Sequence, residues 1–255
     1  MNKSVGVVCS DLEKIKEAKS LALKYELPFL DSKVLEFNDS KPELILHFSK
    51  TKIELIENIP NASGPVFVDF TDSTLNYRRT RGGAQQILKA IGGANQFVLD
   101  ATAGLGRDSF ILTSLGCKVI ALEKSVVLYT LLVDGIKRAQ DNLEISKIIN
   151  SNLVVYLADS IDWLTKCPQP VDVIYLDPMF PHKKKSALPK KEMQLLQLLL
   201  GSPEDESESL RLLQKARSCA KRVVIKRPAQ ASELEKDVTV SFKGESTRFD
   251  VYVQN

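Results

Sequence analysis

Cysteine and histidine are scarce in this sequence. Cys9, Cys117, Cys167 and Cys219 lie far apart with no CxxC pair, and there are only two histidines. The usual zinc spacings are absent, and the scatter argues against a disulfide framework. No metal is expected, and a reduced, cytoplasmic protein is the default. No run approaches the roughly 18 apolar residues of a membrane span. The N-terminal apolar run VGVVC is too short for a secretory signal and reads as a strand. Charge of one sign is also missing: 35 basic and 32 acidic side chains leave a net +3. Overall charge therefore does not announce a nucleic-acid binder. No internal repeat is visible. Hydrophobic residues at 44% and charged residues at 26% exclude disorder, collagen and coiled coil as global descriptions.

What remains is a globular chain of 255 residues, enough for one large domain or a medium one with a small one. Residues 1–75 read as a small α+β domain. Val5–Cys9 is a strand, and Ser10 with Glu13 suggests a capping box for a helix to about Tyr25. Strand-like runs follow at Val34–Phe37, Leu44–Phe48 and Ile53–Ile56. The separators NDSKP and SKTK predict an antiparallel meander, and Val66–Phe70 adds a strand. His47 alternates with apolar neighbours and reads as structural. The helix-like run AQQILKAIGG marks the junction with a second domain, 76–255. There the texture alternates. Strands are expected at Phe97–Asp100, Lys118–Leu122, Leu153–Leu157, Val171–Leu176 and Arg222–Lys226, with helices at about 107–115, 125–140, 160–165 and 190–219. Such alternation implies an α/β fold with a mostly parallel sheet. Val238–Phe242 and Arg248–Val253 are separated only by KGEST, which permits an antiparallel hairpin but no helical crossover.

The segment FVLDATAGLGRDSF carries the most chemistry. A strand ends in Asp100, a turn holds Gly104 and Gly106, and Arg107 and Asp108 open a helix. Glycines let a ligand approach the turn amides, and the helix N-terminus favours an anionic group. A dinucleotide fingerprint needs a third glycine, where Ser109 stands, and Asp100 would repel a pyrophosphate. S-adenosylmethionine suits the turn better. Its amino group can face Asp100, and its carboxylate can meet the turn amides. D-x-T-x-G-x-G resembles motif I of the class I methyltransferases, whose sheet is Rossmann-like. Glu123 ends the second strand 23 positions after Asp100, where a carboxylate would hold a ribose diol. Asp159 and Ser160 follow the third strand and suit an adenine edge. Each acid alone can be read as a helix N-cap, but three acids at the C-terminal ends of three successive strands point to a ligand, since ligands in open α/β sheets bind at those ends.

The fourth strand ends in Asp177–Pro178–Met179–Phe180, which resembles the [DNS]-P-P-[YFW] motif of amino methyltransferases. A nucleobase amine is a poor nucleophile because its lone pair is delocalised. Hydrogen bonds accepted by the Asp177 carboxylate and the Pro178 carbonyl would raise electron density on that nitrogen, and Phe180 would stack on an extruded base. Two basic clusters are candidates for RNA phosphates: Arg78, Arg79 and Arg81, and then Lys183, Lys184, Lys185, Lys190 and Lys191. His182 is a candidate base or backbone contact. Lys226 and Arg227, at the end of the fifth strand, join the candidates.

DATAGLGRDSF, LEKS, LDPMFPHKKKSALPKKEM, VVIKRP and RFDVY together resemble the bacterial small-subunit rRNA guanine-N2 methyltransferase J family over roughly 76–253. The resemblance implies methyl transfer from S-adenosylmethionine to a guanine N2 of 16S rRNA, with 16S rRNA or the 30S subunit as partner and a monomer sufficing. It makes Met179 a normal member of the motif. It implies cofactor contacts at Arg107, Asp108, Glu123, Lys124, Asp159, Ser160 and Asp177. The family often has arginine at Lys124 and serine at Asp159. Other readings are an amino methyltransferase for adenine N6 or a protein amide, and a non-catalytic RNA-binding module. A nicotinamide oxidoreductase fits least.

Overall fold

The computed structural model describes residues 4–33, 42–59, 62, 64–80, 83–150, 152–166, 170–181 and 191–254. The expected strand Val34–Phe37 lies outside these residues. The chain divides into two compact units, neither of them continuous in sequence. The first takes the described residues up to Val68, then Val126–Arg138, then 191–202. The second takes Asp69–Ser125, Ala139–Pro181 and Pro203–Asn255.

In the first unit, β1 (Val5–Cys9), β2 (Phe29–Leu30), β3 (Leu44–Phe48) and β4 (Ile53–Glu57) form a sheet in the order β2-β1-β3-β4. β1 runs parallel to both β2 and β3, and only β3 and β4 are antiparallel. The antiparallel pairing expected of Leu44–Phe48 with Ile53–Ile56 is found in β3 and β4, and the parallel pairing of β1 adds to it a relation the separators did not announce. The helix α1 (Ile15–Lys24) carries the chain from β1 back to β2 as a crossover. No side chain caps α1; Asp11 accepts the Glu13 amide, and Ser10 bonds to His47 instead. His47 also meets Glu54, consistent with a structural residue. The predicted strand at Val66–Phe70 reduces to a single bridge between Leu55 and Val66.

The second unit is built on seven strands. They are β5 (Phe97–Asp100), β6 (Lys118–Glu123), β7 (Leu153–Leu157), β8 (Val173–Leu176), β9 (Arg222–Pro228), β10 (Val240–Lys243) and β11 (Thr247–Val253), in the order β10-β11-β9-β8-β5-β6-β7. β5 to β9 are parallel, and β11 and β10 close the sheet antiparallel. This is the expected Rossmann-like sheet with its C-terminal hairpin. The central strands are apolar along their length because both faces are covered; all of β8 is buried. Leu99, Leu122, Ile174, Leu176, Val223 and Ile225 from the sheet pack with Leu212 and Leu213. The last two come from α9 (Ser207–Arg217).

The other helices in chain order are α2 (Ser73–Thr80), α3 (Gly83–Ile91), α4 (Arg107–Ser114), α5 (Val126–Ala139), α6 (Leu143–Ile149), α7 (Ser160–Lys166) and α8 (Lys191–Leu200). The single helix expected over 190–219 is two, α8 and α9. Gly201 (φ +78°) ends α8 in a left-handed turn, and Pro203 prevents its continuation. The order of strands is what places the site. The chain steps from β5 outward to β6 and β7, then returns to β8 on the other side of β5. Ligands in such sheets bind beyond the carboxyl ends of the strands at this reversal.

Candidate active site

The turn after β5 is fixed by backbone bonds to both neighbouring strands. The Ala101 amide donates to the Tyr175 carbonyl on β8, and the Ala103 amide donates to the Leu122 carbonyl on β6. Gly104 (φ +55°) and Gly106 (φ +72°) then take left-handed conformations that L side chains adopt at a cost of about 1–2 kcal/mol each. Gly106 is the N-cap of α4. This bend aims the Gly104 amide at Glu123, whose Oε2 accepts it at 2.8 Å while Oε1 accepts the Ser125 amide at 2.7 Å. Burial pushes the Glu123 carboxyl up, and these two amides pull against the shift.

Asp100 is buried beneath the same turn. Its Oδ2 accepts the Ser109 hydroxyl at 2.5 Å and its Oδ1 accepts the Thr102 amide at 3.1 Å. Ser109, which looked only like a missing third glycine, is thus a working part of the turn. Burial raises the Asp100 carboxyl to about 7, aided by the nearby Asp108 and Asp177 and opposed by the two hydrogen bonds.

Across the reversal, the Asp177 amide donates to Thr102 Oγ1 at 2.6 Å, tying the loop after β8 to the glycine turn. Lys226 on β9 lies between two carboxylates, with Nζ 2.7 Å from Asp177 Oδ2 and 2.7 Å from Asp108 Oδ2. Asp108 also accepts the Tyr175 hydroxyl at 2.7 Å and pairs with Arg78 at 3.1 Å. Burial opposes ionisation of Asp108, but Lys226, Arg78 and Tyr175 outweigh it and hold the carboxyl below its ordinary value. Asp177 remains raised, chiefly by burial and further by Asp108, with Lys226 and Arg78 pulling it down. Tyr175 is pushed well above its ordinary value by burial and the surrounding carboxylates.

The sequence candidates fall into three groups. Asp100, Gly104, Gly106, Asp108, Glu123 and Asp177 are brought together around the carboxyl ends of β5, β6 and β8. Pro178 and Phe180 follow Asp177, half-buried, and the Arg227 guanidinium stacks 4.7 Å from the Phe180 ring centre. Ser160 donates to the Ala101 carbonyl at 2.5 Å, so it touches the same turn. A second group uses its polar atoms elsewhere. Asp159 caps α7 by accepting the Ile161 and Asp162 amides. Lys124 pairs with Glu208, and Arg79 pairs with Glu144. Arg107 is exposed at the start of α4. Lys226 and Arg227, read from sequence as phosphate contacts, face inward: Arg227 is 1% exposed and pairs with Glu206. The third group, Arg81, His182, Lys183, Lys184, Lys185 and Lys190, lies outside the described residues. Lys191 opens α8. Sequence reasoning missed Thr102, Ser109 and Tyr175, whose partners come from other strands and turns.

Asp108 and Asp177 thus share two cations, Lys226 and Arg78, while Asp100 and Glu123 accept hydrogen bonds from a hydroxyl and backbone amides. That balance suits a cationic ligand and would repel a pyrophosphate. The family described as "Putative SAM-dependent methyltransferase", SAM being S-adenosylmethionine, matches residues 29–254. Ribosomal RNA small subunit methyltransferase J of Pseudoalteromonas translucida (strain TAC 125) is 43% identical over 222 residues, 85% of this chain and 87% of that protein. The protein of that name from Tolumonas auensis is 40% identical over 256 residues, 98% of each chain. The chain belongs to the ribosomal RNA small subunit methyltransferase J family of SAM-dependent methyltransferases. The crystal structure of a SAM-dependent methyltransferase from Neisseria gonorrhoeae matches the fold at a TM-score of 0.72. It is 31% identical, and the match covers 97% of this chain and 95% of that one. The family's cofactor fits the residues present: an open glycine turn, a carboxylate at the end of the neighbouring strand, and an excess of acids.

Proposed function

We propose that this protein transfers a methyl group from SAM to the exocyclic N2 of a guanine in 16S rRNA, acting in the cytoplasm on the small ribosomal subunit or its precursor. The observation that carries the reading is the Asp177–Pro178–Met179–Phe180 loop. It leaves β8 beside the glycine turn, with the Asp177 amide anchored on Thr102. The names of the relatives support the substrate class, and the sequence resemblance supports guanine N2.

SAM would supply an electrophilic methyl group on a cationic sulfur. Glu123 would take the ribose hydroxyls, the Gly104–Gly106 turn the amino-acid end, and Ser160 and Asp159 the adenine side. Asp177 and the Pro178 carbonyl would accept hydrogen bonds from the guanine amine, and the Phe180 ring would hold the extruded base. Their work is orientation and electrostatics in a site drier than bulk water. Backbone phosphates would meet Arg78, Arg79 and Arg81 and the lysines of 183–191, which position RNA without reading its sequence.

The test is transfer of labelled methyl from SAM to 30S subunits of a strain lacking this protein, followed by digestion to nucleosides. N2-methylguanosine in 16S rRNA is the expected product. Label on adenine N6 or on ribosomal protein would overturn the substrate assignment. Absence of label with SAM bound would overturn the activity on this particle.

A further inference from the structure

We infer that Lys226 is a positioning residue for methyl transfer, holding the Asp177 carboxylate aimed and anionic so that it can accept the proton released by the guanine amine. This rests on the function proposed above and adds a residue that its sequence motif does not contain.

The geometry begins with strand register. β8 and β9 are parallel and Leu176 pairs with Ile225, so Asp177 and Lys226 follow at the same level. The lysine side chain is only 17% exposed, and its ammonium bonds the two carboxylates at 2.7 Å each. A phosphate would have to displace both. The two acids are not equivalent. Asp108 has further partners in Arg78 and the Tyr175 hydroxyl. Asp177 keeps its side chain 35% exposed, and among the described residues its Oδ2 is the oxygen bound to Lys226.

Transfer must dispose of one proton. The N–C bond forms from the amine lone pair while the electrons of the breaking C–S bond stay on sulfur. Nitrogen then carries one proton too many, which passes to the Asp177 carboxylate and on to water. A protonated Asp177 can neither accept that proton nor polarise the amine. Around Asp177 stand Lys226 on β9, Asp108 on α4, Arg78 on α2, Asp100 on β5 and Tyr175 on β8. Burial and Asp108 favour the neutral acid, while Lys226 and Arg78 favour the anion. Lys226 itself keeps its proton: burial disfavours its charge, but Asp108 and Asp177 hold it above its ordinary value.

The experiment is the pH profile of the single-turnover transfer rate on 30S subunits, with SAM affinity and thermal unfolding measured on the same proteins. In Lys226→Met the acid limb should move up by at least about one pH unit, since an opposite charge at this range has been lost. On the acid limb the rate should fall about tenfold for each pH unit the limb moves and recover as pH rises. Lys226→Arg should restore the wild-type limb. Asp108→Asn should move the limb the opposite way, to lower pH, and decides the matter if Lys226→Met does not fold. An unshifted limb in Lys226→Met, or in Asp108→Asn where Lys226→Met does not fold, overturns the inference. So does a loss confined to RNA affinity and its salt dependence. Inactive wild-type protein on 30S subunits overturns instead the function on which the inference rests.

Discussion

Asp100 and Asp177 end adjacent strands but keep different company. Asp177 has a lysine, whereas the hydrogen-bond partners of Asp100 are the neutral Ser109 and Thr102. Burial therefore dominates at Asp100 and raises its carboxyl from 3.8 to about 7. Between those values the folded protein keeps a proton that the unfolded chain releases. Stability is then full below about pH 4, falls as pH rises toward 7, and levels off above it. The ceiling of this effect is on the order of 4 kcal/mol at about 1.4 kcal/mol per unit. Asp100→Asn removes the titrating group while keeping the amide bond from Thr102. The difference in melting temperature between variant and wild type should grow in the variant's favour from pH 5 to pH 8. Parallel curves would show that Asp100 does not hold its proton. Asp177→Ala tests the other acid: methyl transfer should fall by at least a hundredfold while SAM still binds, because a positioned proton acceptor contributes about that much. Near-normal turnover would remove Asp177 from the chemistry. Asp100, Glu123 and Asp177 were legible in the sequence because each closes an apolar strand. Thr102, Ser109, Tyr175 and the inward turn of Lys226 were not, since their partners are chosen by strand order.

At the scale of elements, what could be read depended on how local the pairing is. The strands from Phe97 onward are apolar runs separated by helices, and that alternation announces parallel pairing without knowledge of order. In the first unit the separator SKTK pointed to a hairpin, and β3 and β4 form one. The parallel pairing of β1 with strands that follow it by twenty residues and more was not legible, because nothing local in the sequence announces it. The break between α8 and α9 was legible in Gly201 and Pro203. Helix α5 holds a subtler case, Gly135. In the first unit this helix fixes Asp134, which accepts the Ile53 amide at 3.0 Å and pairs with Arg138 at 2.7 Å; Arg138 in turn bonds the Val68 carbonyl. These bonds draw the helix backbone against Val68. A Cβ on Gly135 would lie 2.4 Å from Val68 Cγ1 and 2.6 Å from its Cβ. On an open helix, glycine to alanine gains about 1 kcal/mol. Here overpacking should reverse the sign and cost about 1–3 kcal/mol. Urea unfolding of Gly135→Ala reads this directly, with a lowered midpoint expected. A raised midpoint would mean that the helix is free to move away from Val68.

For the molecule as a whole, a net charge of +3 is too small to attract RNA by itself. Affinity must come from how the cations are distributed, and the structure narrows which ones are at liberty to serve. Arg78, Arg79, Lys226 and Arg227 each pair with a carboxylate of their own unit. A phosphate taking one of them must break an ion pair, so the favourable and unfavourable parts largely offset. We propose that most of the salt dependence is carried by Lys183, Lys184 and Lys185, in the run that follows the Asp177 loop in sequence. Each cation that neutralises a phosphate contributes about 0.7–0.9 to the slope of log affinity against log salt. Reversing all three to glutamate should weaken binding to 16S rRNA at low salt and flatten that slope by about two to three. Arg79→Ala, by contrast, should alter the slope by well under one. The two variants measured together separate distribution from total charge. If Arg79→Ala flattens the slope as much per residue as the triple reversal does, its pair with Glu144 opens on binding and the RNA surface includes α2. An unchanged slope in the triple variant would move the RNA surface away from that run altogether.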